Sequence, residues 1–254
     1  DNMHMAYRPV LGNFDIKVRV ESLTMPDVWA KVGLMARTST NAGSRNVCLM
    51  VTPSAGQNRY TFQWRPAEGA SSLSYHVPSP PAYPNAWIRL QRVGPVFYGY
   101  YGMNGTDWTL FASINTTANS GGPLPDNLVV GLAATAHDGA NSGLIVQADF
   151  RDLDFPLPPA ITAQPVDVTV NIGETATFSV TGETPAGAGA LTYQWQVDGL
   201  DIPGATSATL VLDNAQVEDA GYYTVLVGNN GGAVRGETVT LTVNNQPPVA
   251  TADR

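Results

Sequence analysis

Within a chain of 254 residues, six side chains combine flat rings with hydrogen-bonding cations: Trp64, Arg65, Trp87, Arg89, Tyr98 and Tyr100. Sugar rings stack on aromatic faces while Arg, Asn and Asp bond their hydroxyls, so an exposed patch of these types suits a glycan. Trp64 continues a period-two ladder with Tyr60 and Phe62 and is expected in the core. Arg65, Arg89 and Tyr98 are expected to face outward. Arg65, Trp87, Arg89, Tyr98 and Tyr100 are therefore the candidate ligand-binding residues, with core packing as the plainer role for each.

Other chemistries find less support. Glycoside hydrolysis needs two carboxylates flanking the scissile bond. The Glu-x-Asp-x-x-Glu spacing that would put them on one strand face is absent, and Glu21, Glu68, Glu174, Glu183, Glu218 and Glu237 are scattered. No catalytic residue is assigned. His4, His76 and His137 lack a ligand-type partner two or four residues on, and Cys48 is the single cysteine, so no zinc site is expected. Asp138 and Asn141, in the polar loop after His137, could lend oxygen ligands to calcium, a plain turn being the alternative. No other cofactor is expected. Gly-x-Ser-x-Gly, P-loop and dinucleotide-binding patterns are also missing.

The elements that must position the aromatic set read as strands. Asn104-Gly105 lies between two β-rich runs and takes the positive φ angles of a two-residue hairpin turn. That turn would pair Tyr101 with Trp108 and Gly99 with Leu110 on one face, and Tyr100 with Thr109 and Tyr98 with Phe111 on the other. Both faces are then aromatic, whereas a sandwich hairpin buries only one, which leaves the other as a contact surface. Residues 14–21, 29–37, 46–52, 59–65, 86–93, 128–136 and 144–150 alternate or run apolar as strands do, and no helical period occurs. Abundant Gly (25) and Pro (19) with only 13% charged residues complete an all-β reading.

Residues 1–157 carry 11 Lys and Arg against 11 Asp and Glu, while residues 158–254 carry 2 against 10, so the net charge of −8 belongs to the second half. Neither half offers the basic excess that phosphate contacts require, which argues against a nucleic-acid partner. No apolar run reaches the length of a bilayer-spanning helix, so no membrane insertion is expected. Phe155-Pro156-Leu157-Pro158-Pro159 marks a semi-rigid spacer, dividing a first domain (1–155), a linker (156–160), a second domain (161–244) and a linker or tail (245–254).

Phe14-Asp15-Ile16, Gly33-Leu34-Met35-Ala36-Arg37, Phe62-Gln63-Trp64-Arg65, Trp87-Ile88-Arg89-Leu90, Asn104-Gly105 with Trp108, and Val130-Gly131-Leu132 together resemble bacterial concanavalin A-like (laminin-G-like) jelly-roll modules. That resemblance covers most of residues 1–155. Such modules carry strand sequence ahead of the segment that Asp1–Pro9 matches. The resemblance therefore implies an open sheet edge, to be filled by another copy or another piece of the same precursor, or else a trimmed fragment. Residues 160–244 resemble an immunoglobulin-like sandwich: Trp195 matches its buried tryptophan, and Asp219-x-Gly-x-Tyr223 the turn that places its corner tyrosine. Val180 and Val225 stand where that family often has bridging cysteines, as in cysteine-free bacterial versions.

The reading that follows is an all-β, non-catalytic, extracellular or cell-surface bacterial protein. A jelly-roll domain binds carbohydrate or a cell-surface or matrix component, and an immunoglobulin-like domain acts as a spacer. The alternative is a structural subunit joined head to tail into a fibre or surface layer through strand complementation. A glycosidase accessory module is a third reading.

Overall fold

The computed structural model describes residues 3–77, 80–137 and 145–245, and it is all-β apart from two 3-10 turns, Thr116–Ala118 and Val217–Asp219. Asp138, Asn141 and the tail from Gln246 lie outside the described residues. The chain divides into two compact units, Asp1–Leu157 with Asn230–Gly232 and Pro158–Asn229 with Ala233–Arg254.

The first unit contains β1 (Met3–Leu11), β2 (Phe14–Leu23), β3 (Lys31–Arg37), β4 (Asn46–Val51), β5 (Tyr60–Arg65), β6 (Leu73–Val77), β7 (Ala86–Val93), β8 (Val96–Gly102), β9 (Thr109–Asn115), β10 (Asn127–Thr135) and β11 (Ala148–Asp154). They form two antiparallel sheets, one of six strands in the order β1-β10-β3-β4-β5-β6 and one of five in the order β11-β2-β7-β8-β9. Alternation explains the layering. On β2, Phe14, Ile16, Val18 and Val20 are buried while Asp15, Lys17, Arg19 and Glu21 between them are partly open, and on β7 the buried set is Ala86, Ile88 and Leu90. Those side chains share one core with Val32, Leu34, Val47, Leu49, Tyr60 and Phe62 of the six-stranded sheet. Each large member stabilises the fold by about 1.5–3 kcal/mol through removal from water.

Rings lock the two sheets together. Tyr60 stacks on Tyr101 at 4.8 Å, and Phe62 meets Phe111 edge-on at 6.3 Å. Gly99 of β8 makes room for this: a Cβ there would lie 2.6 Å from Phe62 Cδ2.

The hairpin departs from its expected register. β8 and β9 are joined by residues 103–108, because Asn104 Oδ1 accepts from the backbone N–H of Thr106 and Asp107 (3.0 and 2.9 Å) and so builds a longer side-chain-capped loop. Tyr101 consequently pairs with Thr109, not Trp108, and Tyr100 with Leu110. A bulge then brings Ala112 opposite Gly99 and Ser113 opposite Tyr98. The extra residue, Phe111, turns inward onto Tyr101 and Phe62. Two further corrections concern strands. β6 is exposed and lacks the alternation that would announce it, and the last strand runs Ala148–Asp154 where 144–150 was expected. Among the described residues, the sheet edges are β1 and β6 in one sheet and β11 and β9 in the other.

The second unit contains β12 (Ala160–Ala163), β13 (Val168–Asn171), β14 (Ala176–Ser179), β15 (Thr181–Glu183), β16 (Thr192–Val197), β17 (Leu200–Asp201), β18 (Thr209–Leu212), β19 (Gly221–Asn229), β20 (Gly232–Arg235) and β21 (Val239–Asn244). The main sheet runs β13-β21-β19-β16-β17 with β20 on β19, while β14 pairs with β18 and β12 with β15. Trp195 is fully buried and donates its indole N–H to Ser207 O at 2.9 Å. Tyr223 stacks on Phe178 at 4.9 Å, and its hydroxyl donates to Asp219 O at 2.7 Å, closing the corner. Val180 and Val225 are both buried in this cluster.

Two substitutions test this packing. Gly99→Val should lower the unfolding free energy of the first unit by at least about 2 kcal/mol in urea titration, since Phe62 has nowhere to move. Tyr223→Phe should cost the second unit about 1 kcal/mol by removing the corner hydrogen bond. Unchanged midpoints would contradict these contacts.

Candidate functional site

Because successive strand side chains alternate, the residues between the buried ones of β2, β7 and β8 share the solvent face of the five-stranded sheet. Lys17, Arg89 and Tyr100 stand in one cross-strand row, and Asp15, Gln91 and Tyr98 in the next. Trp87, Arg89, Tyr98 and Tyr100 are thereby brought onto one surface.

Their contacts make a connected array. Arg89 Nε donates to Asp15 Oδ1 at 2.7 Å, and its Nη2 donates to Asp15 Oδ2. Gln91 donates to the same Asp15 oxygen at 3.1 Å, and the Tyr100 hydroxyl donates to Gln91 Oε1 at 3.3 Å. The hydrogen bonds it donates to Asp15 hold the Arg89 guanidinium above its ordinary pKa, and burial opposes them. Its carbon lies 5.1 Å from the Tyr100 ring centre and 5.8 Å from that of Trp108. Tyr98 and Tyr100 lie nearly parallel at 6.4 Å, Trp87 meets Trp108 edge-on at 6.3 Å, and exposed Leu110 extends the apolar surface beside Tyr100.

Arg89 thus serves as a bidentate strut beneath the rings, with Tyr98, Tyr100, Trp108 and Leu110 as the accessible surface. Gly105 supports the same array in an unexpected way. Its φ is +76°, and a Cβ would lie 2.7 Å from the Trp87 ring, so the glycine seats that indole.

Arg65 does not join this set. It lies on the outer face of the other sheet, in a row with Arg37 and Asn46, and is buried. The segment between β3 and β4 folds over that row: Ser44 O accepts from Asn46 Nδ2 at 3.1 Å and from Arg65 Nη1 at 3.4 Å, and Ser44 Oγ accepts from Arg37 Nε at 2.8 Å. Trp64 is buried as expected and meets Tyr75 at 5.2 Å.

The outer face of the six-stranded sheet carries a feature that no local sequence pattern announced. A cavity of about 250 Å³ is lined by Trp29, Lys31, Thr61, Gln63, Ser74, His76 and His137. Next to it on the same face, Met35, Cys48, Met50 and Ala133 form a small apolar cluster. Burial pushes the Cys48 thiol up to about 12.

Three carboxylates of the five-stranded face, Asp15, Glu21 and Asp152, are engaged by cations. Asp15 holds Arg89, Glu21 holds Arg151 and lies 3.6 Å from Arg19, and Asp152 accepts from Arg19 at 2.7 Å. Among the described residues, no group of three or more His, Cys, Asp or Glu side chains is placed to hold a metal ion. Among the described residues, no helix is long and apolar enough to cross a membrane.

Residues 158–229 match the family described as Immunoglobulin domain, so the second unit carries an immunoglobulin-like domain. Among characterised proteins, the chain is similar to Endoglucanase C of Cellulomonas fimi, 37% identical over 100 residues. That similarity takes in 38% of this chain and 9% of the other. It is also similar to the Decoration protein of Escherichia phage T5, 32% identical over 94 residues, 37% of this chain and 57% of that protein. The chain thus spans less than two thirds of either relative. Among solved structures, a functionally unknown protein from Saccharomyces cerevisiae aligns over 61% of this chain and 74% of its own, at 15% identity and a TM-score of 0.45.

The buried acids predict an alkaline response. Burial raises Cys48 from 9.0 to about 12 and Tyr60 from 10.0 to about 12, so the native protein keeps protons that the unfolded chain releases. Their contribution is intact below about pH 9 and is lost as pH rises toward 12. Urea midpoints should fall between about pH 8 and pH 11, and Tyr60→Phe should flatten that fall. A midpoint that rises with pH would contradict it.

Proposed function

We propose that the first unit is a concanavalin A-like (laminin-G-like) jelly-roll module that binds carbohydrate without catalysis. In this reading the immunoglobulin-like unit is its spacer in a bacterial extracellular or cell-surface protein, and the partner is a glycan or another cell-surface or matrix component. The observation that carries the reading is the aromatic array on the five-stranded face. Tyr98, Tyr100 and Trp108 are held on paired strands by a buried core behind them and by the Arg89–Asp15 clip beside them. Rings fixed in this way lose little entropy when a sugar stacks on them. The engagement of the neighbouring carboxylates by arginines supports a binding role over hydrolysis, which needs one carboxyl to act as an acid and another as a base or nucleophile.

The edges of the six-stranded sheet support a second reading, assembly of copies by strand addition. β1 is a nine-residue edge strand paired on one side by β10, and its other side offers backbone groups to an incoming strand.

One experiment separates the two. On a glycan array, the full chain should bind a defined set of saccharides, and Tyr98→Ala and Tyr100→Ala should each weaken that binding about tenfold, the usual consequence of losing a central aromatic anchor. Absence of any glycan binding, together with concentration-dependent polymers in sedimentation, would favour the assembly reading.

A further inference from the structure

We propose that the cavity on the outer face of the six-stranded sheet is a second ligand site, built for one acidic sugar residue, a uronate, independent of the five-stranded face. Its walls come from parts of the chain far apart in sequence: Trp29 ahead of β3, Lys31 at the start of β3, Thr61 and Gln63 on β5, Ser74 and His76 on β6, and His137 after β10. The volume of about 250 Å³ lies just below the usual range for drug-sized ligands and suits a single ring.

Its chemistry divides into a stacking wall, a hydroxyl-binding wall and a positive corner. Trp29 is the stacking surface, with Arg59 covering part of the ring at 4.6 Å and His137 beside it at 6.1 Å. Gln63, Thr61 and Ser74 offer both donors and acceptors to hydroxyls. His76 is fixed between two of them, its Nδ1 3.2 Å from Thr61 Oγ1 and its Nε2 3.1 Å from Ser74 Oγ.

The positive corner is Lys31. Among the described residues its ammonium has no hydrogen bond and no ion pair, although it is half-buried in this wall. Burial and neighbouring Arg59 lower its pKa, and the same two causes lower that of His76. The acidic group that faces this region, Asp27, is already engaged: its Oδ1 accepts from the Trp29 backbone N–H at 2.7 Å and lies 3.5 Å from His137 Nδ1. An unneutralised cation in a partly desolvated wall is stabilised by an incoming carboxylate far more than a solvated lysine would be. A neutral sugar would leave Lys31 uncompensated, and a bare anion would leave Trp29 and Gln63 without contacts.

The test is calorimetric titration of the full chain with tetramers of galacturonate, glucuronate and mannuronate, with the fully methyl-esterified galacturonate tetramer as the neutral ring and acetate as the bare anion. At least one acidic tetramer should bind, with the ester and acetate each about tenfold weaker or worse. Lys31→Met, which keeps the apolar stem, should reduce binding about tenfold, and Trp29→Ala and Gln63→Leu should act in the same direction with unchanged circular dichroism. Tyr98→Ala should leave this binding intact, so failure of this site and failure of the five-stranded face are separately visible. The proposal is overturned if none of the three tetramers binds, if the ester binds as well as the acid, or if folded Lys31→Met binds as the wild type does.

Discussion

The side chains of the five-stranded face point outward because their immediate neighbours are buried. Ile88 and Leu90 on β7, and Phe97 and Gly99 on β8, are buried against the opposite sheet, and that compels Trp87, Arg89, Tyr98 and Tyr100 to the other side. A one-residue slip of either strand would place an arginine and two tyrosines in the core and Ile88 and Phe97 in water. The cost of that exchange, several kilocalories per mole summed over the buried side chains, makes the surface array rigid without any loop being asked to hold it. Between β8 and β9 the pleat is broken by the bulge at Phe111, and the extra ring goes inward, where Phe62 and Tyr101 receive it.

Electrostatics distinguish the two outer faces. On the five-stranded sheet each arginine is matched: Arg89 by Asp15, Arg19 by Asp152 and Glu21, and Arg151 by Glu21. These pairs are partly open to water and contribute little to stability individually. They matter for orientation, since a bidentate guanidinium holds a flat surface beneath Tyr100 and Trp108. On the six-stranded sheet, Lys31 and Arg59 outnumber Asp27 around the cavity, although the chain as a whole carries −8. Local charge and net charge therefore have opposite signs there, and the local one governs what binds.

Much of the architecture was legible from period-two alternation. Residues 14–21, 60–65 and 86–93 announced their buried faces, and Trp195 with Asp219-x-Gly-x-Tyr223 announced the immunoglobulin-like unit. The hairpin was less legible because Asn104 has two options that local sequence does not separate: positive φ in a two-residue turn, or side-chain capping of Thr106 and Asp107. Trp87, which needs the space over Gly105, comes from a neighbouring strand. Arg65 is on the outer face as expected but buried there, for a related reason. Alternation correctly put it opposite Trp64, but burial was decided by the segment around Ser44, which covers that end of the sheet. The cavity was illegible in principle from local pattern, since Trp29, His76 and His137 meet only through strand order, and β6 between them has no alternating signal.

In the proposed function, the ring array held by the packed core of the first unit meets a saccharide. Backbone amide chemical-shift mapping of the full chain, titrated with the best-binding neutral glycan, tests it most directly. The largest shifts should fall on β7, β8 and the start of β9, around Arg89, Tyr98, Tyr100 and Leu110, with the immunoglobulin-like unit silent. Shifts concentrated in residues 158–229, with none on those three strands, would contradict it.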